Sequence, residues 1–180
     1  MIRLATVGTG WIVGEFLKGV REAGGICYTA CYSRDQQRGE AFAEEWGAQK
    51  VYTDLAQMAA DEEIDAVYIA SPNRLHYEQS KLFLQHGKHV ICEKPITVEP
   101  EELQELQELA QQKNLIYIEA LIGVYLPQMK VLQGAVERLG PVHLARFDFS
   151  QYSSKYPAYL RGELPNIFNP QMATGGWMDL

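Results

Sequence analysis

The sequence is short of cysteine, of net positive charge and of long apolar runs, and each shortage narrows the range of functions. It has three cysteines, Cys27, Cys31 and Cys92. An odd count without C-x-x-C spacing fits reduced, buried thiols in a cytoplasmic protein. The four histidines, His76, His86, His89 and His143, do not combine with Cys or carboxylates at metal-site spacing, so no metal is expected. A net charge of −7 and the lack of any basic block argue against a nucleic-acid or anionic-membrane partner, because phosphate surfaces need clustered Lys and Arg. No apolar run is long enough to span a bilayer, and the N-terminus lacks a signal-peptide layout. What remains, at 47% hydrophobic and 22% charged residues, is a globular composition. The 180 residues suffice for one full domain and part of another.

The first dozen residues organise the rest. An apolar run, Arg3 to Val7, leads into Gly8-Thr9-Gly10, and a helical pattern of Trp11, Phe16, Leu17 and Val20 follows. Strand, glycine turn and helix is the arrangement that lays a pyrophosphate on a helix N-terminus. Gly8 permits the sharp turn and Gly10 lets the backbone approach the phosphates. The unpaired N–H groups of the first helical turn, at Trp11 and Ile12, face the anion. The third glycine of G-x-G-x-x-G would fall at Val13, a position that mainly governs helix–strand packing. An ordinary strand-to-helix turn is the plainer reading, but the strand–helix units that follow favour dinucleotide binding.

Those units alternate along the chain. Strands are expected at 26–32, 51–52, 64–70, 89–92 and 115–119, the one at 64–70 largely apolar as buried parallel strands are. Between them lie a helix opened by Ser33 with Gln36 at capping-box spacing and stopped by Gly47, a brief helix capped by Thr53-Asp54, a helix running to Gly87, and an amphipathic helix over 97–113. Short turns and this alternation predict an α/β fold with a doubly wound parallel sheet. Near Tyr125-Leu126-Pro127 the character changes. A helix runs to about Gly140, and residues 142–150 alternate with period two, as a half-solvated antiparallel strand would. A lone strand and a Tyr-rich loop cannot bury their own faces. A second domain is therefore expected to begin here.

Four stretches in order carry a family resemblance: Gly8-Thr9-Gly10-Trp11-Ile12, Ser71-Pro72-Asn73-Arg74-Leu75-His76, Glu93-Lys94-Pro95 and Gly175-Gly176-Trp177-Met178-Asp179. Together they resemble the Gfo/Idh/MocA oxidoreductases. The resemblance implies a Rossmann domain over 1–122. It also implies that 123–180 is the truncated start of a C-terminal α/β domain, whose open, mainly antiparallel sheet often joins protomers into dimers or tetramers. Members of that family move a hydride between NAD(P) and the alcohol or carbonyl of a small molecule, usually a sugar, cyclitol or related diol. In the family the last stretch continues to a His or Tyr that helps transfer the proton. Here it stops at Leu180, which leaves activity at this length open.

The resemblance and the residues together nominate a site. Lys94, at the C-terminal end of a parallel strand, is the catalytic candidate. An ammonium there hydrogen-bonds the reacting oxygen and stabilises the charge that develops on it; the plainer reading is a surface Lys before a turn Pro. The resemblance places Glu93 by the nicotinamide half of the cofactor, although a Glu satisfying nearby backbone donors fits as well. It places Ser71, Asn73 and His76 along the cofactor, where turn and N-cap chemistry also accounts for Ser-Pro-Asn. Asp179 matches an acidic substrate-site residue of the family. At the tip of the second strand, Ser33 and Arg34 offer a hydroxyl and a guanidinium in place of the carboxylate that selects NAD. This favours NADP over NAD, with Asp35 as an alternative partner for a ribose hydroxyl. The expected function is an NAD(P)-dependent dehydrogenase or reductase of CH–OH groups. A non-catalytic dinucleotide sensor is the competing reading. Methyl transfer from S-adenosylmethionine is disfavoured by the hydroxyl–guanidinium pair, because a vicinal ribose diol prefers an acidic partner.

Overall fold

The computed structural model describes residues 1–175; Asp179 lies outside the described residues. β1 (Ile2–Val7) pairs in parallel with β2 (Ile26–Tyr32) on one side and β4 (Ala66–Ile69) on the other. β3 (Lys50–Tyr52), β5 (His89–Cys92) and β6 (Tyr117–Glu119) complete a six-stranded sheet of order β3-β2-β1-β4-β5-β6. All five pairings are parallel.

Period-two alternation on the central strands divides the core between two faces. Leu4, Cys31, Ala66 and Tyr68 pack against Val13, Leu17 and Val20 of α1 (Trp11–Ala23) and Phe42 and Ala43 of α2 (Gln36–Trp46). Ala5, Val7, Val67, Ile69 and Val90 meet the opposite layer. That layer comprises Met58 and Ala59 of α3 (Leu55–Ala60), Phe83 and Leu84 of α4 (His76–Gln85), and Leu106 and Ala110 of α5 (Pro100–Gln112). Helices on both faces of a parallel sheet are the doubly wound arrangement expected from the alternation of elements.

The helix ends follow local chemistry, with one difference from expectation. Asp54 caps α3 by accepting the Ala56 N–H at 2.7 Å, and Gly47 ends α2 in the left-handed region. α5 starts at Pro100 with a reciprocal capping box between Glu99 and Glu102. The box expected from Ser33 and Gln36 does not form. Ser33 still belongs to the sheet, its N–H donating to the Tyr52 carbonyl at 3.0 Å, so α2 cannot begin until Gln36. Asp35 becomes the N-cap and accepts the Arg38 N–H at 2.8 Å, while the Ser33 hydroxyl accepts the Asp35 N–H.

The N-terminal rim of the sheet carries an ionic network. Arg3 forms a two-pronged contact with Asp65, at 2.6 and 3.0 Å. Lys50 bridges Asp61 and Glu63, and the Tyr52 hydroxyl donates to Asp61 at 2.6 Å. Buried Lys88 donates to the Asp61 carbonyl at 2.6 Å, and burial pushes its pKa down.

Past β6 come α6 (Ile122–Tyr125), α7 (Pro127–Leu139) and α8 (Tyr156–Leu160). No residue in 121–175 is buried. The strand expected at 142–150 does not form: the segment pairs with no strand among the described residues, and Phe147 is 94% exposed. A strand needs a neighbour for its N–H and C=O groups, and none of the six described strands lies beside this one. Among the described residues no helix is long and apolar enough to cross a membrane.

Candidate functional site

The C-terminal rim of the sheet is built by one further row of the ladder. Gly8 donates to the Tyr32 carbonyl, Ala70 to Val7, Glu93 to Ile69 and Ala120 to Cys92, at 2.7–3.1 Å. Immediately above this rim a cleft of 640 Å³ opens where the strand order turns from β1 to β4. That reversal is where open parallel sheets bind ligands, because the two loops leave in opposite directions.

The floor of the cleft is the Gly8–Gly10 turn. Gly8 has φ of 110°, and a β-carbon there would come within 2.9 Å of the Ala70 carbonyl oxygen. Only glycine satisfies both the conformation and the space. Around Gly10 a β-carbon would meet nothing within 4 Å, so the backbone is open to a ligand. Gly10 is the N-cap of α1 and has no side chain to cap it, which leaves the first-turn donors of Trp11 and Ile12 to an incoming anion. Val13, in the third-glycine position, is fully buried; the close approach has moved to Gly14, where a β-carbon would lie 3.0 Å from the Trp46 ring.

The side wall is basic. Tyr32, Ser33, Arg34, Asp35 and Arg38 line it, two guanidiniums against one carboxylate. Arg34 makes no hydrogen bond or ion pair among the described residues. The Arg38 guanidinium sits over the turn and donates to the Thr9 carbonyl at 3.4 Å. Arg38 was not singled out in the sequence, although its four-residue spacing from Arg34 carries the signal. Its position depends on how deeply α2 sits. A β-carbon on Gly39 would come within 2.6 Å of Val51 and 3.2 Å of the Ser33 β-carbon, so the glycine lets the helix rest against the sheet.

The third wall is the loop after β4. Ser71, Pro72, Leu75 and Gln79 line the cleft, and the Ser71 hydroxyl donates to Gln79 at 2.7 Å. Leu75 and Gln79 were also missed in the sequence; both follow from the helical turn that starts at Asn73. Asn73 is buried and donates to the Ala173 carbonyl at 2.8 Å. His76 stands behind the wall instead of on it. Its ring is fully buried, with Nδ1 2.7 Å from the Pro95 carbonyl and Nε2 2.9 Å from the Ser71 carbonyl. It ties the loop after β4 to the loop after β5.

Glu93 lies on the rim and Lys94 one residue beyond it. The Tyr68 hydroxyl donates to the Glu93 carboxylate, while the Tyr68 ring stacks on Phe16 at 3.8 Å. Burial, aided by that carboxylate, pushes the Tyr68 phenol well above its usual range, so it remains a donor. Lys94 is half-buried, and the Lys94–Pro95 peptide is cis. Trp11 is 77% exposed at the helix start, and Ile12 is half-buried against the α1–α2 layer.

A doubly wound sheet with an uncapped glycine turn, an open switch-point cleft and a basic pair beside it is the arrangement of a dinucleotide-binding Rossmann domain. Residues 2–121 match the GFO_IDH_MocA family model, described as an oxidoreductase family with an NAD-binding Rossmann fold, and the chain belongs to that family. Over all 180 residues it is 40% identical to the uncharacterised oxidoreductase YgjR of Escherichia coli, covering 55% of that protein. It is equally 40% identical over 180 residues to scyllo-inositol 2-dehydrogenase (NADP(+)) IolU of Bacillus subtilis, again covering 55%. The chain thus spans about half the length of these curated relatives. Among solved structures it is similar to KijD10, a 3-ketoreductase from Actinomadura kijaniata in complex with NADP and TDP-benzene. The TM-score is 0.73 at 26% identity, covering 76% of this chain and 42% of that one.

Proposed function

We propose that this chain is the cofactor-binding part of an NADP-dependent dehydrogenase or reductase acting on the CH–OH or carbonyl group of a polyol, sugar or dihydrodiol. The observation that carries the reading is the Arg34–Arg38 pair beside Ser33 on the side wall of the cleft. Two guanidiniums without a carboxylate partner suit a phosphate dianion far better than a ribose diol. Asp35 also lines the cleft, with one oxygen engaged in capping α2 and the other left for a ribose hydroxyl. The names of IolU and of the KijD10 complex, both with NADP, support the same choice.

The bound dinucleotide supplies or accepts the hydride. Gly8, Gly10 and the first turn of α1 hold its pyrophosphate, Ser33 with the two arginines holds the adenosine end, and the Ser71–Asn73 loop borders its length. Lys94 hydrogen-bonds the reacting oxygen of the substrate, stabilises the charge that develops there and passes on the proton. Glu93, whose carboxylate accepts from Tyr68, would border the nicotinamide half of the cofactor. Residues 123–180 are the start of the domain that holds substrate and pairs protomers. The exposed apolar faces of α7 and the greater length of the relatives support this.

The test is a pair of titrations, NADPH against NADH, followed by turnover of scyllo-inositol with NADP⁺. NADPH binding at least tenfold tighter than NADH is expected. Lys94→Ala is expected to lower kcat about 100-fold or more with NADPH affinity retained. Equal affinity for the two cofactors would refute the NADP assignment. Binding without turnover of any polyol or sugar by the protein at the full length of its relatives would favour a dinucleotide sensor.

A further inference from the structure

Lys94 stands on a loop that is held by side chains from outside the loop. β6 is an edge strand, and its last residue, Glu119, lies in register with Cys92, the last residue of β5. The chain leaves β5 at that level to form Glu93-Lys94-Pro95-Ile96. Period-two alternation sends Tyr117 and Glu119 to one face of the edge strand, and both reach the same residue. Glu119 Oε1 accepts the Ile96 N–H at 2.9 Å. The Tyr117 hydroxyl donates to the Ile96 carbonyl from farther off, at 3.5 Å. Burial pushes the Tyr117 phenol up, so it stays a donor.

Lys94 is bounded on both sides. Before it, the Glu93 N–H continues the ladder onto Ile69 at 2.9 Å. After it, the Pro95 carbonyl lies 2.7 Å from His76 Nδ1, and the next peptide N–H is the one that Glu119 accepts. Neither the Pro95 carbonyl nor the Ile96 N–H makes a main-chain hydrogen bond among the described residues. Their partners are distant in sequence, 19 residues for His76 and 23 for Glu119. The Ile96 side chain packs against the core layer of Phe83 and Leu106. Two consecutive peptide units after the lysine are thus fixed by α4 and by β6.

We infer that Glu119 is a positioning residue for Lys94: by holding the Ile96 N–H it fixes the loop on which the ammonium is aimed. The inference rests on the reading above that Lys94 meets the reacting oxygen. Glu119 acts through the backbone, as an acceptor and not as a charge. An N–H that loses its acceptor turns to water, and the loop regains rotation on either side of the lysine. A displacement of about 1 Å at a reacting group can cost about 100-fold in rate, so a loop that is merely loosened costs less.

Turnover of scyllo-inositol with NADP⁺, in the protein at the full length of its relatives, tests this. Glu119→Leu keeps bulk on the edge strand but removes the acceptor. It is expected to lower kcat about tenfold, with KM and the NADPH Kd within about twofold of the parent. Glu119→Gln keeps an acceptor oxygen without the charge and should recover most of that loss. Added to Lys94→Ala, Glu119→Leu should cost less than about twofold further, because both act through one ammonium. A second readout needs no turnover. With the lysines of the 180-residue chain dimethylated with ¹³C, the Lys94 methyl resonance is identified by its loss in Lys94→Ala. It should move towards that of an unrestrained lysine in Glu119→Leu and stay at the parent position in Glu119→Gln. Full kcat in Glu119→Leu, a Lys94 resonance unmoved by it, or Glu119→Gln as damaging as Glu119→Leu would overturn the inference and leave the catalytic reading of Lys94 standing. Lys94→Ala turning over like the parent would overturn that reading, and this inference with it.

Discussion

The two rims of the sheet use charge in opposite ways. At the N-terminal rim three basic side chains each have a partner: Arg3 on Asp65, Lys50 on Asp61 and Glu63, Lys88 on the Asp61 carbonyl. At the C-terminal rim Arg34 has none among the described residues, and Arg38 touches only the Thr9 carbonyl, at 3.4 Å. One rim neutralises itself and closes the fold. The other holds guanidiniums and helix-end donors ready for an anion from outside. Similar residue types therefore serve stability at one end and recognition at the other, and the partner list distinguishes them.

Substitutions at the two rims should separate accordingly. The largest effect is expected for Arg34→Ala with Arg38→Ala. Losing two charged hydrogen-bond donors should weaken NADPH about 100-fold, leave NADH within about threefold and change unfolding free energy by less than about 0.5 kcal/mol. Parallel titrations with a urea melt would show it; equal loss for both cofactors would dissolve the contrast. Gly8→Ala should cross the divide. The 2.9 Å approach to Ala70 and the φ of 110° predict a loss of about 2–3 kcal/mol in the urea melt together with failure to bind NADPH.

Asp61→Asn should do the reverse of the arginine pair. The side chain is only 12% exposed and serves both Lys50 and Tyr52, so about 1–2 kcal/mol of stability should go while the NADPH Kd stays within twofold. The smallest effect concerns pH. The Arg3 hydrogen bond holds the Asp65 carboxyl down at about 2, below the ordinary 3.8 of an aspartate. A carboxyl with a depressed native pKa contributes stability that is present above about pH 4 and lost as pH falls towards 2. With the side chain 35% exposed, solvent screening limits this to less than about 1 kcal/mol. Asp65→Asn should flatten that acid limb in melts between pH 5 and 2, with no change in NADPH affinity at pH 7.

The sequence was most legible where one local rule acted alone. The bounds of β2 and β5, the C-cap at Gly47 and the turn at Gly8 all follow from short-range patterns of burial or backbone freedom. Legibility fell where two rules competed. Ser33 has the side chain of an N-cap, but its backbone remains in the sheet, so Asp35 takes the role. The family resemblance places His76 beside the cofactor, yet its ring is held between two backbone carbonyls. Alternation over 142–150 reads as a strand, but alternation describes one chain and pairing needs a second. Glu119 could not be read at all, because only tertiary folding brings it to Ile96. Asp179 lies beyond the described residues.

Gly39 touches no ligand in this reading, yet it sets the depth at which α2 rests and hence where Arg38 reaches. Re-engineering the domain for the unphosphorylated cofactor would therefore not succeed through the Ser33-Arg34 loop alone, since a guanidinium anchored by helix seating would remain above the turn. Lifting the helix with a single methyl group at position 39 would retune cofactor choice from behind, without altering any residue that faces the nucleotide.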